Sequence, residues 1–282
     1  MINSLTLGLI AALCWGFHDI CVRYVSQKTP LMAMLLTVLL VGLAFHLGLM
    51  TATGGFETIA LIPALYAGIA GLFFLLASLG LYYAFERGPV RLVSPIIGAY
   101  PVLSIAWATI QGTPITALQI LAVLAIIAGV GMVAALADQS NEDTPPKGLT
   151  ILYSFIAAVG FAGTFAFGQH AAELSAEMPA TLVTRILAPT LLVVFMLVKG
   201  HTFWTGRKAL PVLILMGIAD GIALLCVVSA SGYANPEYAA VTSSIFGLIT
   251  IVLAWAILRE AMTRAQWLGC AVAFAGIGYL AL

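Results

Sequence analysis

The chain has 282 residues, with 11 basic and 11 acidic side chains and a formal charge of +0. Hydrophobic residues make up 62% and charged residues 8%, where a soluble domain carries roughly a quarter charged. So few charges cannot cover a water-soluble globule, and no basic patch marks a nucleic-acid binder. The implied solvent is lipid.

A membrane helix needs roughly 20 mainly apolar residues. Ten stretches qualify, near residues 4–25, 31–51, 61–85, 91–111, 116–136, 149–171, 178–199, 209–232, 238–258 and 264–282. Span 1 has no cationic region ahead of it and no small-residue cleavage site, so it reads as a retained helix. Most separators are short turns, such as Lys28-Thr29-Pro30, Glu86-Arg87-Gly88-Pro89 and Asn235-Pro236. The longest polar stretch, residues 138–148, divides residues 1–137 from 149–282. All four cysteines, Cys14, Cys21, Cys226 and Cys270, lie in apolar runs without a CxxC spacing, so they read as small hydrophobes.

The two halves repeat weakly. Ala106-Trp107-Ala108 returns as Ala254-Trp255-Ala256, Thr116-x-x-Gln119 as Thr263-x-x-Gln266, and Gly129-x-Gly131 as Gly276-x-Gly278. Five spans per half is an odd number, so the second half starts from the opposite side of the membrane. The expected fold is an all-α membrane protein, with ten transmembrane helices arranged as two inverted five-helix repeats around a central cavity. One site between inverted repeats can face either side in turn.

Basic residues report sidedness. Arg23, Lys28, Arg87, Arg91, Lys147, Lys199, Arg207, Lys208, Arg259 and Arg264 all border odd-numbered loops, and Arg185 lies within span 7. The positive-inside rule then puts odd loops in the cytoplasm of a bacterial inner membrane and both termini in the periplasm.

Trp15-Gly16-Phe17 in span 1, and the run Ala254-Trp255-Ala256-Ile257-Leu258-Arg259-Glu260 followed by Thr263-x-x-Gln266-x-x-Gly269, resemble the EamA-type drug/metabolite transporter superfamily. The overall pattern is most similar to its bacterial exporters of aromatic and other amino acids. The resemblance spans the chain and implies a five-plus-five transporter fold. Members are usually drawn with both termini cytoplasmic, and the charges here argue the reverse. The basic loop often seen after helix 2 is missing, and Gln111-Gly112-Thr113 replaces a charged turn after helix 4.

Polar residues at membrane depth are costly and mark candidate sites. In span 1, Trp15, His18, Asp19 and Val22 share a face; Asp19 can pair with Arg23 four residues on, and His18 is a cavity donor or a satisfied core histidine. Span 3 offers Phe74, Ser78 and Tyr82. Span 4 offers Tyr100, Ser104, Trp107 and Gln111 in one stripe, with Pro101 freeing the Ile97 carbonyl as Pro189 frees that of Arg185. Span 6 adds Phe161, Thr164 and Phe165, with Gln169 and His170 nearer its end, and span 9 opens with Thr242-Ser243-Ser244. Asp220, near the middle of span 8, either pairs with Arg185 or titrates in a cavity. The expected substrate-binding set is Trp15, His18, Ser78, Tyr82, Tyr100, Ser104, Trp107, Thr164 and Ser244. Asp19 and Asp220 are the candidates for a proton or charge site. Spans 5 and 10 carry small-xxx-small pairs, Ala125 with Gly129 and Gly269 with Ala273, for close packing at the periphery. They could also support a dimer, although one chain already supplies the twofold symmetry.

Aromatic faces, hydroxyls and amides suit a small amphipathic solute. No Lys/Arg cluster within the spans suits a phosphorylated cargo. HExxH, GxSxG and a Walker motif are absent, so neither an enzyme nor an ATP-driven pump is expected. The sequence therefore points to a secondary carrier, without cofactor or metal, that exports neutral or aromatic amino acids. The alternative is a proton-coupled extruder of cationic amphipathic drugs.

Overall fold

In lipid, a long apolar backbone satisfies its own hydrogen bonds by coiling. The structure is a computed structural model that describes residues 3–110, 114–136, 145–233 and 237–280. Its elements are α1 (Ser4–Ser26), α2 (Leu31–Thr53), α3 (Leu61–Arg87), α4 (Val90–Gly98), α5 (Tyr100–Ile110), α6 (Ala117–Ala135), α7 (Lys147–Leu174), α8 (Glu177–Lys199), α9 (Leu210–Ser229), α10 (Glu237–Ser243), α11 (Phe246–Leu253) and α12 (Arg264–Leu280). A π-helical turn, Ala254–Leu258, continues α11. Among the described residues, nine segments are long and apolar enough to cross a membrane; α12, at 17 residues, coincides with the last expected span. The chain is a multi-pass membrane protein. Leu13, Leu121 and Val198 point outward, as lipid-facing side chains do.

Two expected helices are broken. The stretch 91–111 becomes α4 and α5 with Ala99 between, and 238–258 becomes α10 and α11 with Ser244-Ile245 between. Pro101 cannot donate to Ile97, and the Ala99 N–H turns back on the Ile96 and Ile97 carbonyls instead. In the second break, Ser244, Ile245, Gly247 and Leu248 each bond three residues back. The Ser243 and Ser244 hydroxyls compete for the Ala240 and Val241 carbonyls there. The breaks face one another. Gly98 lies against the Ser244 carbonyl and Gly247 against that of Ser94, while the Tyr100 hydroxyl meets the Ala240 carbonyl and Ser243 Oγ.

Helix directions follow from which residues touch. In α6 and α12, Gly129 faces Ala273, Gly276 faces Ala122 and Gly269 faces Val133, so the two run antiparallel. In α2 and α8, Gly42 faces Arg185 and His46 Nε2 donates to the Met178 carbonyl at 2.9 Å, again antiparallel. The crossing of α4 with α11 has the same sense. By contrast, α2 and α9 run parallel, with Gly217 beside Val38 and Val41 and Gly221 beside Phe45. So do α3 and α8, where Thr184 donates to the Ala67 carbonyl and Gly71 meets Leu187. Exchanging the halves turns the α2–α9 packing into that of α8 on α3.

The repeated Thr-x-x-Gln motifs are matching capping boxes. Thr116 and Gln119 exchange backbone-to-side-chain bonds at the start of α6, and Thr263 and Gln266 do the same ahead of α12. In each Gly-x-Gly motif, only the first glycine lies in the helix contact. A Cβ on Gly129 would stand 2.7 Å from the Ala273 nitrogen and one on Gly276 2.8 Å from the Ala122 carbonyl, while Gly131 and Gly278 have nothing within 4 Å. Gly129→Ala is therefore expected to lower the melting temperature in detergent. Gly131→Ala should leave it unchanged or raise it, since alanine is worth up to about 1 kcal/mol over glycine in a helix. Equal effects of the two would contradict this contact. The small-residue faces of α6 and α12 are thus used within one chain.

Candidate functional site

The centre of the bundle is aromatic. Trp15 of α1 touches Phe161 and Phe165 of α7 at ring-centroid distances of 5.9 and 5.5 Å, and Phe246 of α11 at 6.3 Å. Against this cluster lies a narrow cavity lined by Trp15, His18, Leu39, Phe74, Ser78, Leu81, Tyr82, Phe161 and Asp220. It is a slot of about 20 Å³, room for about one water. Helical spacing delivers these groups. Trp15 and His18 are three apart on α1, Phe74, Ser78 and Tyr82 lie at four-residue intervals on α3, and Asp220 enters from α9.

Two polar constellations border the slot. In the first, Asp220 is held from both sides. Trp15 Nε1 donates to Oδ1 at 3.1 Å and Arg185 Nη1 to Oδ2 at 2.9 Å, while Arg185 Nη2 donates to the Asp220 backbone carbonyl at 2.7 Å. The guanidinium also lies 5.5 Å from the centre of the Phe74 ring. In the second, His18 Nδ1 meets Asp19 Oδ1 at 2.9 Å and His18 Nε2 meets the Tyr82 hydroxyl at 3.1 Å. The first supplies both signs of charge with no net excess. The second supplies an imidazole facing the slot with a carboxylate behind it.

The other candidate residues lie elsewhere. Tyr100 is buried beside Phe161 and Phe165, outside the slot, with its hydroxyl spent on α10. Thr164 and Ser244 are buried and return their hydroxyls to the Gly160 and Val241 carbonyls. Ser78 does line the slot, though its hydroxyl donates to the Phe74 carbonyl at 2.8 Å. Ser104 is half-buried on α5. Trp107, two turns beyond the buried Tyr100 on the same helix, is 49% exposed and faces outward, so α5 leaves the bundle along its length. Gln111 lies outside the described residues.

The chain matches the EamA-like transporter family twice, over residues 3–135 and 148–282. The chain belongs to the EamA-like transporter family. It is accordingly a membrane transporter of small molecules, and the two matched stretches are its two repeats. A solved crystal structure superposes with a TM-score of 0.73 at 16% identity, covering 98% of this chain and 95% of its own, which shows the shared fold. No curated protein matches.

In this EamA-like chain, Arg23 does not pair with Asp19. Its Nη1 donates to the Phe85 and Glu86 carbonyls at the end of α3, at 2.9 and 3.1 Å, and its Nε lies 3.8 Å from Glu260 Oε1. Asp19 turns to its neighbour His18 instead. Glu260, beyond the π-helical turn, accepts the Val90 N–H at 3.1 Å and the Arg91 N–H at 3.4 Å. It thereby caps α4, whose own N-cap, Pro89, has no side chain to offer. Burial pushes the Glu260 carboxyl up, while these amides and the Arg23 and Arg91 guanidiniums pull it down. Nothing local announces this cap, because its partners are 170 residues apart. Leu39 and Leu81 are equally silent, since an apolar residue in an apolar run carries no sign of lining a cavity.

Proposed function

We propose that the chain is a secondary carrier exporting small neutral amino acids, aromatic ones above all, by alternating access between inverted halves. The observation that carries this reading is the slot. It lies between helices of both repeats, has aromatic walls, and carries the Asp220–Arg185 pair, whose opposite charges match the ammonium and carboxylate of a zwitterion without favouring a charged cargo. The antiparallel packing of α6 on α12, α2 on α8 and α4 on α11 supports ten spans in two inverted quintets, residues 1–137 and 149–282, joined by the linker at 138–148. At about 20 Å³ the slot is too small for an amino acid, so cargo requires α1, α3, α7 and α9 to part. The basic odd-numbered loops support a cytoplasmic position for those loops in a bacterial inner membrane, with periplasmic termini. A single chain suffices. The drug-extruder alternative needs a carboxylate at the slot wall free to hold a cation; of the two candidates, Asp19 and Asp220, only Asp220 lines the slot, and it is already bound to Arg185.

The test is counterflow of labelled phenylalanine in proteoliposomes. Wild-type protein is expected to give saturable uptake. Ser78→Phe, which fills the slot, should lower it by about tenfold or more, because so narrow a space has no room for the added ring and cargo together. Trp107→Ala at the lipid face should leave it unchanged. Wild-type flux in Ser78→Phe would remove the slot from the path. Movement of a lipophilic cation without phenylalanine would favour the drug reading.

A further inference from the structure

We propose that His18 and Asp19 form a proton-binding dyad, so that the carrier exchanges a proton for its ammonium-bearing solute; this rests on the transport function proposed above. Asp19 is 0% exposed in the middle of α1, where a lone carboxylate is expensive. One of its oxygens meets His18, and Oδ2 has no hydrogen-bond partner among the described residues. The cation four residues on, Arg23, is committed to the end of α3 and to Glu260. The group in position to balance Asp19 is therefore His18, and it does so by taking up a proton.

The geometry gives that proton a place. With Nδ1–H donated to Asp19, His18 keeps a lone pair on Nε2, which accepts from the Tyr82 hydroxyl. A proton arriving from water in the slot binds Nε2, and the Tyr82 hydroxyl rotates from donor to acceptor. One N–H bond forms, and the same bond breaks when the proton leaves toward the other side. The dyad's charge moves from −1 to 0, and nothing is oxidised or reduced. Asp220 cannot do this cheaply, since both its oxygens are already taken by Trp15 and Arg185.

The surroundings leave the dyad as the titrating unit. From α1 itself come Cys14, Cys21 and the committed Arg23. From α3 comes Tyr82, and from α9 come Asp220, neutralised by Arg185 of α8, and Cys226. The sequence of α11 contains no titratable side chain. On α10, Tyr238 lies in the first turn, beside the level of Gly8, roughly 15 Å along α1 from His18. Deprotonated, the dyad adds a negative charge behind the slot and favours an ammonium group; protonated, it does not. Proton and solute thus compete for one site, and an inward proton gradient drives the solute out.

Two readouts separate this from the transport reading. In nanodiscs, 15N-histidine spectra should contain one signal that H18Q removes and that responds to the pH of the buffer. D19N should move its midpoint by about tenfold or more in proton concentration. In proteoliposomes carrying pyranine, acidifying the bath should speed labelled phenylalanine efflux about fivefold or more with proton entry. D19N should abolish that drive, so that any phenylalanine efflux it retains is the same at either bath pH. If D19N does not fold, H18Q carries the test, and the drive must vanish with it. Flux indifferent to the gradient, or a His18 signal that does not titrate or ignores Asp19, overturns the dyad and leaves the carrier. A titrating, Asp19-dependent His18 without phenylalanine flux keeps the proton site and overturns the amino-acid reading.

Discussion

Asp220→Ala is expected to destabilise the protein by about 3–5 kcal/mol, the usual cost of stripping one partner from a buried ion pair. Arg185 is 1% exposed, and its guanidinium would lose its only acidic partner among the described residues. Trp15 Nε1 would lose its acceptor as well. Arg185→Leu should hurt comparably, by stranding the carboxylate. The double replacement Asp220→Leu with Arg185→Met should recover most of the loss, because desolvating the pair consumes most of what its attraction returns. Thermal unfolding in detergent, followed by size-exclusion fluorescence, reads this directly. Single variants that melt like wild type would show that water reaches the pair. Transport should fail in the singles and in the double, since the pair at the slot is lost in every case.

Gly160→Leu is expected to cost about 3 kcal/mol or more, at the upper end for overpacking. A Cβ there would lie 2.5 Å from the Ala77 nitrogen and 2.6 Å from its Cα, and the reciprocal Gly80 faces the Ala157 nitrogen and the Tyr153 carbonyl, each at 2.7 Å. The obstacles are backbone atoms, so no rotamer change relieves them and α3 must move away from α7. The damage reaches the slot, because α3 carries Ser78 and Tyr82 and α7 carries Phe161. The control is Gly48→Leu on α2, where nothing lies within 4 Å; its melting temperature should stay within a few degrees of wild type. Equal tolerance at both positions would mean that α3 and α7 are not in backbone contact.

Part of this architecture is legible in the amino-acid sequence. The apolar runs announce the spans because lipid admits only a helix or a closed barrel. The Thr-x-x-Gln repeat announces two equivalent helix starts, since the capping box is a local device. The breaks within the fourth and ninth spans are signalled only in part: Pro101 is visible, but a proline can kink a helix without dividing it.

The site is legible unevenly. Trp15, His18, Ser78, Tyr82 and Asp220 stand out because polar and aromatic groups at depth are costly, and they line the slot. Ser104 and Trp107 stand out for the same reason and lie elsewhere, because α5 is buried at Tyr100 and exposed toward its other end, which helical spacing alone does not show. Composition and periodicity by themselves determined the solvent, the spans, the repeat and the polar residues that need an explanation, since each depends on neighbours a turn or two away. Only the tertiary structure decided that Arg185 belongs to Asp220, that Asp19 looks to His18, and that Arg23 and Glu260 tie the halves together at one end. Most of those choices are made between side chains tens to hundreds of residues apart, each with several partners its chemistry would accept. Helix direction and close backbone approach leave only one of them within reach.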